Sequence, residues 1–168
     1  MVYQRLRAAT PAHHGGLIRA GDTALASASP EQFLEIGGGR IKTRPIKGTR
    51  PRHADVASDA ALAAELQAHP KERAENVMIV DLMRNDLALV SEPGTVAVDA
   101  LLEVESYPAV HQLVSTVSGA VAHNTTVGEV LDATFPAGSM TGAPKLSAMT
   151  HLARLEGHAR GIFAGCFG

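Results

Sequence analysis

A lysine stands in an unusual setting within residues 44–50, where the chain has the sequence R-P-I-K-G-T-R. Lys47 lies between the apolar Ile46 and Gly48, which has no side chain. Desolvation of an ammonium group lowers its pKa, and the free amine that results is a nucleophile. The segment therefore contains a candidate nucleophilic lysine. The simpler alternative, a solvated lysine at the end of a strand, remains open.

Two carboxylates, Glu72 and Glu75, are three positions apart farther along the chain. On a helix this spacing places both side chains on one face. Mg²⁺ commonly takes one or two protein carboxylates and completes its shell with water and substrate oxygens. The pair is a candidate for part of a magnesium site, whereas the neighbouring Lys71 and Arg73 favour an ordinary solvated helical turn.

A glycine-rich segment, G-S-M-T-G-A-P-K, occupies residues 138–145. Backbone N–H groups and the positive end of a helix dipole bind anions in such loops, and Lys145 adds a point charge. The spacing differs from that of a Walker A loop. Anion binding and a simple connection with a proline before a helix are both compatible with this sequence.

A single histidine, His111, comes directly before the strand predicted at 112–121. One histidine at the start of a strand more often has a structural role than a catalytic one. No G-x-S-x-G segment indicates a hydrolase, and the eight histidines show no H-E-x-x-H or paired Cys/His spacing that would indicate zinc.

These candidates need helices and strands to position them, and the patterning predicts an α+β fold. The triple glycine at 37–39 lies between two apolar strands and predicts a hairpin that Pro45 ends. Apolar residues at helical spacing predict a long helix over 71–87. Thr126 and Glu129 form a capping box that begins a helix reaching about residue 134. The remaining expectations are a loop at 48–57, a helix at 59–68 capped by Ser58, strands at 95–98, 101–105 and 112–121, a loop at 136–143 and a last helix from Pro144 to about Leu155.

Composition excludes several classes of function. The net charge is −2, from 15 basic and 17 acidic residues, which gives no electrostatic footprint for nucleic acid. No apolar run reaches the roughly 18 residues of a membrane-spanning helix, and the N-terminus lacks the apolar core of a signal peptide. The single Cys166 fits a reducing compartment. We therefore expect a cytoplasmic protein that binds neither nucleic acid nor a membrane.

Taken in order, these segments resemble the chorismate-utilising enzymes: anthranilate synthase component I, aminodeoxychorismate synthase component I, isochorismate synthase and salicylate synthase. The matching stretches are S-P-E at 29–31, R-P-I-K-G-T at 44–49, E-R-A-E-N-V-M-I-V-D-L-M-R-N-D at 72–86, E-P-G at 92–94, E-V-E-S-Y-P-A-V-H-Q-L-V-S-T at 103–116 and F-P-A-G-S-M-T-G-A-P-K at 135–145. The resemblance implies the α/β sandwich of that family, with a partial chorismate-binding domain at 20–168 and a lead-in of uncertain structure at 1–20.

The resemblance also implies roles. Lysine at the position of Lys47 is similar to aminodeoxychorismate synthase, in which the amine is proposed to attack chorismate at C2 before ammonia displaces it. Glu31 matches the general acid near the departing hydroxyl, and Glu75 matches a ligand of Mg²⁺. The positions that the resemblance assigns to substrate binding are Gly48, Thr49, Arg84, Gln112, Thr141, Gly142, Ala143 and Lys145. The expected partners are chorismate and a glutamine amidotransferase subunit that supplies ammonia.

Three departures from the family pattern leave alternatives open. Gln112 stands where the family commonly has histidine, and Leu89 stands where it commonly has arginine. Family members also continue beyond the position of Gly168, so we expect a fragment or a short version whose isolated chain is inactive. An anthranilate synthase component I, which Lys47 argues against, and a non-catalytic fragment of the fold are the alternatives to an aminodeoxychorismate synthase component I.

Overall fold

The computed structural model describes residues 2–168, which form two compact units that divide after Gln32. In the first unit, helix α1 (Val2–Ala9) precedes strands β1 (Gly16–Ala20) and β2 (Thr23–Ser27). The two strands pair antiparallel from Gly16 opposite Ser27 to Ala20 opposite Thr23. The sequence analysis ended the N-terminal lead-in at residue 20, but the hairpin includes residues on both sides of that position.

The second unit contains a five-stranded sheet built around one long strand. Its strands are β3 (Gln32–Gly37), β4 (Arg40–Arg44), β5 (Ile46–Pro51), β6 (Ala97–Ser106) and β7 (Val110–Ala120). Strand β7 pairs antiparallel with β6 over most of its length. It also pairs with β5 through its first half and with β4 through its second half. Strand β3 lies beside β4.

Two helices pack against this sheet, α2 (Val56–Ala68) and α3 (Pro70–Ala88). Helix α3 begins where the sequence indicates, because Pro70 occupies its first turn and His69 caps it by accepting a hydrogen bond from the Glu72 N–H at 3.4 Å. Three shorter helices follow β7: α4 (Val127–Thr134), α5 (Gly138–Thr141) and α6 (Lys145–Glu156).

The core lies between the helices and the sheet in two clusters. One joins Ile41 of β4 and Val117 of β7 to α3, and the second joins Leu66 of α2 to Leu102 and Leu113. Burying each of these side chains contributes about 1.5–3 kcal/mol. Helices layered on an antiparallel sheet confirm the α+β prediction.

Most of the expected elements are present, and the differences have local causes. The hairpin at the triple glycine, the long helix and the capping box of α4 are confirmed. The loop predicted at 48–57 is confined to residues 52–55, because β7 supplies strand partners as far as Pro51 and α2 begins at Val56. Helix α2 begins three residues early, since the Asp55 side chain accepts from the Ser58 N–H at 2.8 Å and is the N-cap.

Two further differences concern strand β6 and the glycine-rich loop. The strands expected at 95–98 and 101–105 are one strand, β6, with irregular register beside Ala100. The glycine-rich loop contains the short helix α5. Among residues 2–168, no helix is long and apolar enough to cross a membrane.

Candidate active site around Lys47

Lys47 lies at an irregularity in strand β5. Ile46 pairs with Val114 and Thr49 pairs with Gln112, so the register shifts across Lys47 and Gly48. Such bulges re-aim side chains and are frequent beside active sites. The Lys47 Nζ donates a hydrogen bond to the Ser139 carbonyl oxygen at 3.2 Å. The candidate nucleophile is therefore held against the glycine-rich segment, 92 positions away in sequence.

Gly48 allows the strand to come close to both helices. Its φ of +94° is unfavourable for other residues, and a Cβ there would lie 2.9 Å from Leu66 Cδ1 and 3.1 Å from Glu72 Oε2. A side chain at this position would have to displace the side chains of Leu66 and Glu72. Glycine at position 48 thus brings the backbone next to Lys47 into contact with the first of the two carboxylates.

Thr49 and Gln112, both assigned to substrate binding from the sequence, are directly opposite each other on β5 and β7. Gln112 is buried and has Glu105 of β6 as its partner on the other side. Its amide can donate and accept hydrogen bonds but cannot transfer a proton as a histidine would. The structure brings these two residues together, and their contact with substrate stays a prediction.

The surroundings of Glu72 and Glu75 differ. Glu72 lies in the first turn of α3 on the face that packs against the sheet, its side chain is 20% exposed, and its Oε1 lies 3.5 Å from Arg50 Nη1. Glu75 is at the edge of that face, its side chain is 41% exposed, and it pairs with Lys71 at 3.6 Å. The sequence placed both carboxylates on one face of the helix, but only Glu72 is directed at β5.

The pair fits a magnesium site only as a contributor of one or two ligands. Within residues 2–168, no cluster of three or more histidine, cysteine, aspartate or glutamate side chains could hold a metal. Mg²⁺ needs few protein carboxylates when water and substrate oxygens complete its shell. Glu72 and Glu75, one helical turn apart, are compatible with that arrangement, and the metal itself stays a prediction.

A buried asparagine, Asn76, connects the helix that carries these glutamates to β7, and the sequence analysis missed it. Its Nδ2 donates to the Leu113 carbonyl at 3.1 Å, and its Oδ1 accepts from the Ser115 hydroxyl at 2.5 Å. The Ser115 oxygen also accepts from the Leu102 N–H at 3.0 Å. Asparagine is a poor helix former. Its place in the middle of an otherwise apolar helix face was the signal that could have revealed it.

The glycine-rich segment packs on α3 through Gly138. A Cβ at this position would lie 2.8 Å from Leu82 Cδ2 and 3.2 Å from the Met83 sulfur. The Thr141 hydroxyl is 3.4 Å from the Gly138 carbonyl, and the Gly142 N–H donates to the same carbonyl at 3.1 Å. These bonds shape the segment internally. Substrate contacts by Thr141, Gly142 and the exposed Ala143 stay predictions.

Lys145 is engaged inside the protein. Its Nζ lies 2.5 Å from Asp86 Oδ2 and 2.8 Å from the Thr134 carbonyl oxygen. Burial raises the pKa of the Asp86 carboxyl, and the Lys145 ammonium opposes that effect. Asp86 belongs to the R-N-D motif and had no role assigned from sequence, because a partner 59 positions away follows no local spacing rule. The substrate contact expected of Lys145 stays a prediction.

Arg84 and Glu31 are the remaining candidates from the sequence. Arg84 is half exposed on α3, where it pairs with Asp81 at 3.1 Å beside the exposed Val77 and Met78. Glu31 belongs to the first unit, and its N–H donates to the Ser29 hydroxyl at 3.4 Å. The catalytic and binding roles expected of Glu31 and Arg84 stay predictions.

His111 has a structural place between three elements. Its Nε2 lies 3.0 Å from Asp59 Oδ1 of α2 and its Nδ1 2.8 Å from the Ser106 hydroxyl of β6. The Arg52 guanidinium and the His53 N–H hold the pKa of Asp59 well below its usual range. Since neighbours on a strand alternate between faces, His111 does not substitute for a histidine at position 112.

Comparison with known proteins gives a consistent result. The family model described as chorismate binding enzyme matches residues 1–168. An aminodeoxychorismate synthase of Streptomyces pristinaespiralis is 48% identical over 99% of this chain and 23% of its own length. Anthranilate synthase component 1 of Streptomyces coelicolor is 46% identical over 99% of this chain and 33% of its own length.

The fold agrees with these sequences. The crystal structure of anthranilate synthase component I from Streptococcus pneumoniae TIGR4 superposes with a TM-score of 0.87 at 37% identity, over 99% of this chain and 36% of that one. The chain thus spans about a quarter to a third of the length of these relatives. Its mixed helix and sheet architecture is that of the chorismate-utilising enzymes, and the chain belongs to the chorismate-binding enzyme family.

Proposed function

We propose that the full-length protein carrying this chain is an aminodeoxychorismate synthase component I, which converts chorismate and ammonia to 4-amino-4-deoxychorismate for p-aminobenzoate and folate synthesis in the cytoplasm. The position of Lys47 is the observation that carries the proposal. Its Nζ donates a hydrogen bond to the Ser139 carbonyl, which brings the segments 44–49 and 138–145 into contact and supports a shared site. The name of the S. pristinaespiralis relative supports the same activity.

Lys47 acts as a nucleophile in this proposal. Its free amine attacks C2 of chorismate, the ring double bonds shift, and the C4–O bond breaks. Glu31 donates a proton to the departing hydroxyl, which leaves as water. Ammonia then attacks C4, the double bonds shift back, and the C2–N bond to Lys47 breaks. The new ammonium returns one proton to Glu31, so the reaction replaces a hydroxyl with an amine and leaves Lys47 and Glu31 as they began.

Magnesium and an ammonia source complete the proposed reaction. Glu75, with Glu72 one turn away, would hold Mg²⁺, which when bound neutralises a carboxylate of chorismate and fixes its position. Gly48, Thr49 and Gln112 would line the site around the ring. A glutamine amidotransferase subunit would deliver ammonia, as the resemblance implies.

The test uses the full-length protein and chorismate without ammonia. Lys47 should then accumulate an adduct with the mass of chorismate less one water, located by peptide mass spectrometry. Lys47→Ala should lose both adduct and product, whereas Lys42→Ala, which removes an exposed lysine paired with Glu35 on the neighbouring strand, should retain both. Product formation by Lys47→Ala at an unchanged rate would disprove covalent catalysis by this residue.

An anthranilate synthase component I is the second candidate, because the S. coelicolor relative and the S. pneumoniae structure carry that name. The two activities differ in their products, because an anthranilate synthase forms both pyruvate and anthranilate, an aromatic amine. Product analysis by liquid chromatography with chorismate, ammonia and Mg²⁺ separates the two activities. Anthranilate as the main product would replace the first proposal with the second.

A further inference from the structure

Lys145 connects three helices through one ammonium group. The group bonds to Asp86 near the end of α3 and to the Thr134 carbonyl at the end of α4, while Lys145 itself is the first residue of α6. Its side chain is 16% exposed and that of Asp86 is 9% exposed. A desolvated pair of this kind depends on both partners, because removing one leaves the other charge buried without compensation.

The contact also closes a loop. Thr134 and Lys145 lie at the two ends of residues 135–144, and the 2.8 Å bond between them joins those ends. Gly138, inside the loop, rests against Leu82 and Met83 of α3, the helix that carries Asp86. The ion pair and this packing together fix the loop on α3.

The next residue in this loop, Ser139, holds the candidate nucleophile. Its carbonyl accepts the hydrogen bond from Lys47 at 3.2 Å. Moving the loop moves this acceptor and so the direction of the amine. A displacement of about 1 Å at a reacting group is enough to reduce a rate on the order of 100-fold.

We propose that Lys145 and Asp86 are positioning residues, whose ion pair sets the loop 135–144 so that the Ser139 carbonyl orients the Lys47 amine. The role of Lys145 is then exerted through the loop and not by contact with substrate. This inference rests on the proposed function of Lys47 as nucleophile. It deepens that function by naming the pair that orients the amine.

The test is made on the full-length protein with three variants. Lys145→Met leaves Asp86 buried alone, Lys145→Arg keeps a cation, and the double variant Asp86→Leu/Lys145→Met removes both charges and is expected to fold. Glu35→Gln/Lys42→Met, which removes an exposed ion pair on β3 and β4, is the matched control. Thermal melts verify that each variant is folded.

We expect the double variant to lower kcat and the rate of adduct formation at Lys47 by about tenfold or more, with the KM for chorismate changed less than about threefold. Lys145→Arg should recover part of kcat. The control should match the unmodified protein. An increase of tenfold or more in KM with kcat unchanged would show that Lys145 contacts substrate, and full kcat in the folded double variant would also overturn the proposal.

A second measurement does not depend on turnover. Acetic anhydride labelling, followed by peptide mass spectrometry, gives the reactivity of Lys47 relative to the exposed Lys71. Release of the loop should raise the relative reactivity of Lys47 at least about twofold in the double variant and leave it unchanged in the control. Unchanged Lys47 labelling in the double variant would refute the positioning role. If Lys47→Ala remains fully active while the labelling changes as expected, the proposed function has failed and the structural part of this inference has not.

Discussion

At the scale of single residues, Glu72 and Glu75 occupy one helix but have different electrostatic surroundings. Glu72 is enclosed by Gly48 and Arg50, so its charge already has a partner inside the fold. Glu75 pairs with the exposed Lys71. An ion pair of this exposed kind, four residues apart on a helix, is worth about 0.3–0.5 kcal/mol. Glu75 is therefore the carboxylate that can take a metal at little cost to folding.

Replacing Glu75 with glutamine should separate metal binding from stability. In the full-length protein with chorismate present, we expect Glu75→Gln to weaken Mg²⁺ binding by about tenfold or more, because the amide retains the shape and loses the charge. The melting temperature should change by no more than about 2 °C, in line with the weak ion pair. Isothermal titration with Mg²⁺ and a thermal melt give the two quantities. Glu103→Gln, an exposed change on β6, is the control, and unchanged Mg²⁺ affinity in Glu75→Gln would exclude Glu75 as a ligand.

How far a single residue could be interpreted from sequence depended on the range of its interactions. Lys47 could be singled out as a candidate nucleophile because its neighbours are the apolar Ile46 and Gly48. Asn76 and Asp86 could not be singled out, because their partners Ser115 and Lys145 are 39 and 59 positions away and no local period connects them. The spacing of residues in the sequence does not determine which distant side chains a polar residue contacts.

At the scale of elements, α2 is joined to the sheet by a polar network as well as by Leu66. Asp59 of α2 accepts from both the Arg52 guanidinium and the His53 N–H and meets His111 of β7. These contacts favour the charged carboxylate, and they hold the pKa of Asp59 well below its usual range, Arg52 having the largest effect. Because these contacts form on folding, they favour the ionised carboxyl in the folded chain and not in the unfolded one.

The sign of this effect fixes a pH dependence. A carboxyl whose pKa is lowered by folding contributes stability above its unfolded pKa of about 3.9, and that contribution is lost as the pH falls toward the folded value. Asp59→Asn should therefore be less stable than the unmodified full-length protein at pH 5–7, and the difference should shrink below about pH 4. Urea unfolding across this range measures it.

The exposed Asp132 of α4 supplies the control for this series. Asp132→Asn should leave stability close to that of the unmodified protein at each pH. A stability difference for Asp59→Asn that stays constant from pH 3 to pH 7 would contradict the assignment of Asp59 as a charged anchor of α2.

The elements that sequence predicted are those whose signals are local. Helix α3 has a proline in its first turn and apolar residues at helical spacing, and α4 has both halves of its capping box. Strand β5 was missed because Gly48 and Pro51 indicate a loop, and only the hydrogen bonds from β7 make it a strand. Strand β6 was divided in two by the irregular register at Ala100. Register and pairing arise from partners distant in sequence.

At the scale of the whole molecule, the candidate site brings several segments of the chain together but contains few side chains that could bind a metal. Lys47 meets Ser139, and the adjoining Gly48 lies against Glu72, so three separate segments come together. Residues 2–168 contain no cluster of three or more candidate metal ligands. Large apolar side chains such as Leu146 and Leu155 of α6 are also about four-fifths exposed. Single exposed apolar side chains of this kind are common on protein surfaces.

We therefore expect residues 1–168 alone not to convert chorismate, ammonia and Mg²⁺ to 4-amino-4-deoxychorismate at a rate typical of an enzyme. The physical reason is that one or two carboxylates leave Mg²⁺ mostly hydrated and poorly fixed, so it cannot position the substrate carboxylate.

Product formation is measured by liquid chromatography and mass spectrometry beside the full-length protein. Circular dichroism and gel filtration establish that the isolated chain is folded and monomeric before the comparison is made. Lys47→Ala in the isolated chain controls for background conversion. Product formation by the folded chain that disappears in this variant would show that the ligands within these residues suffice for catalysis.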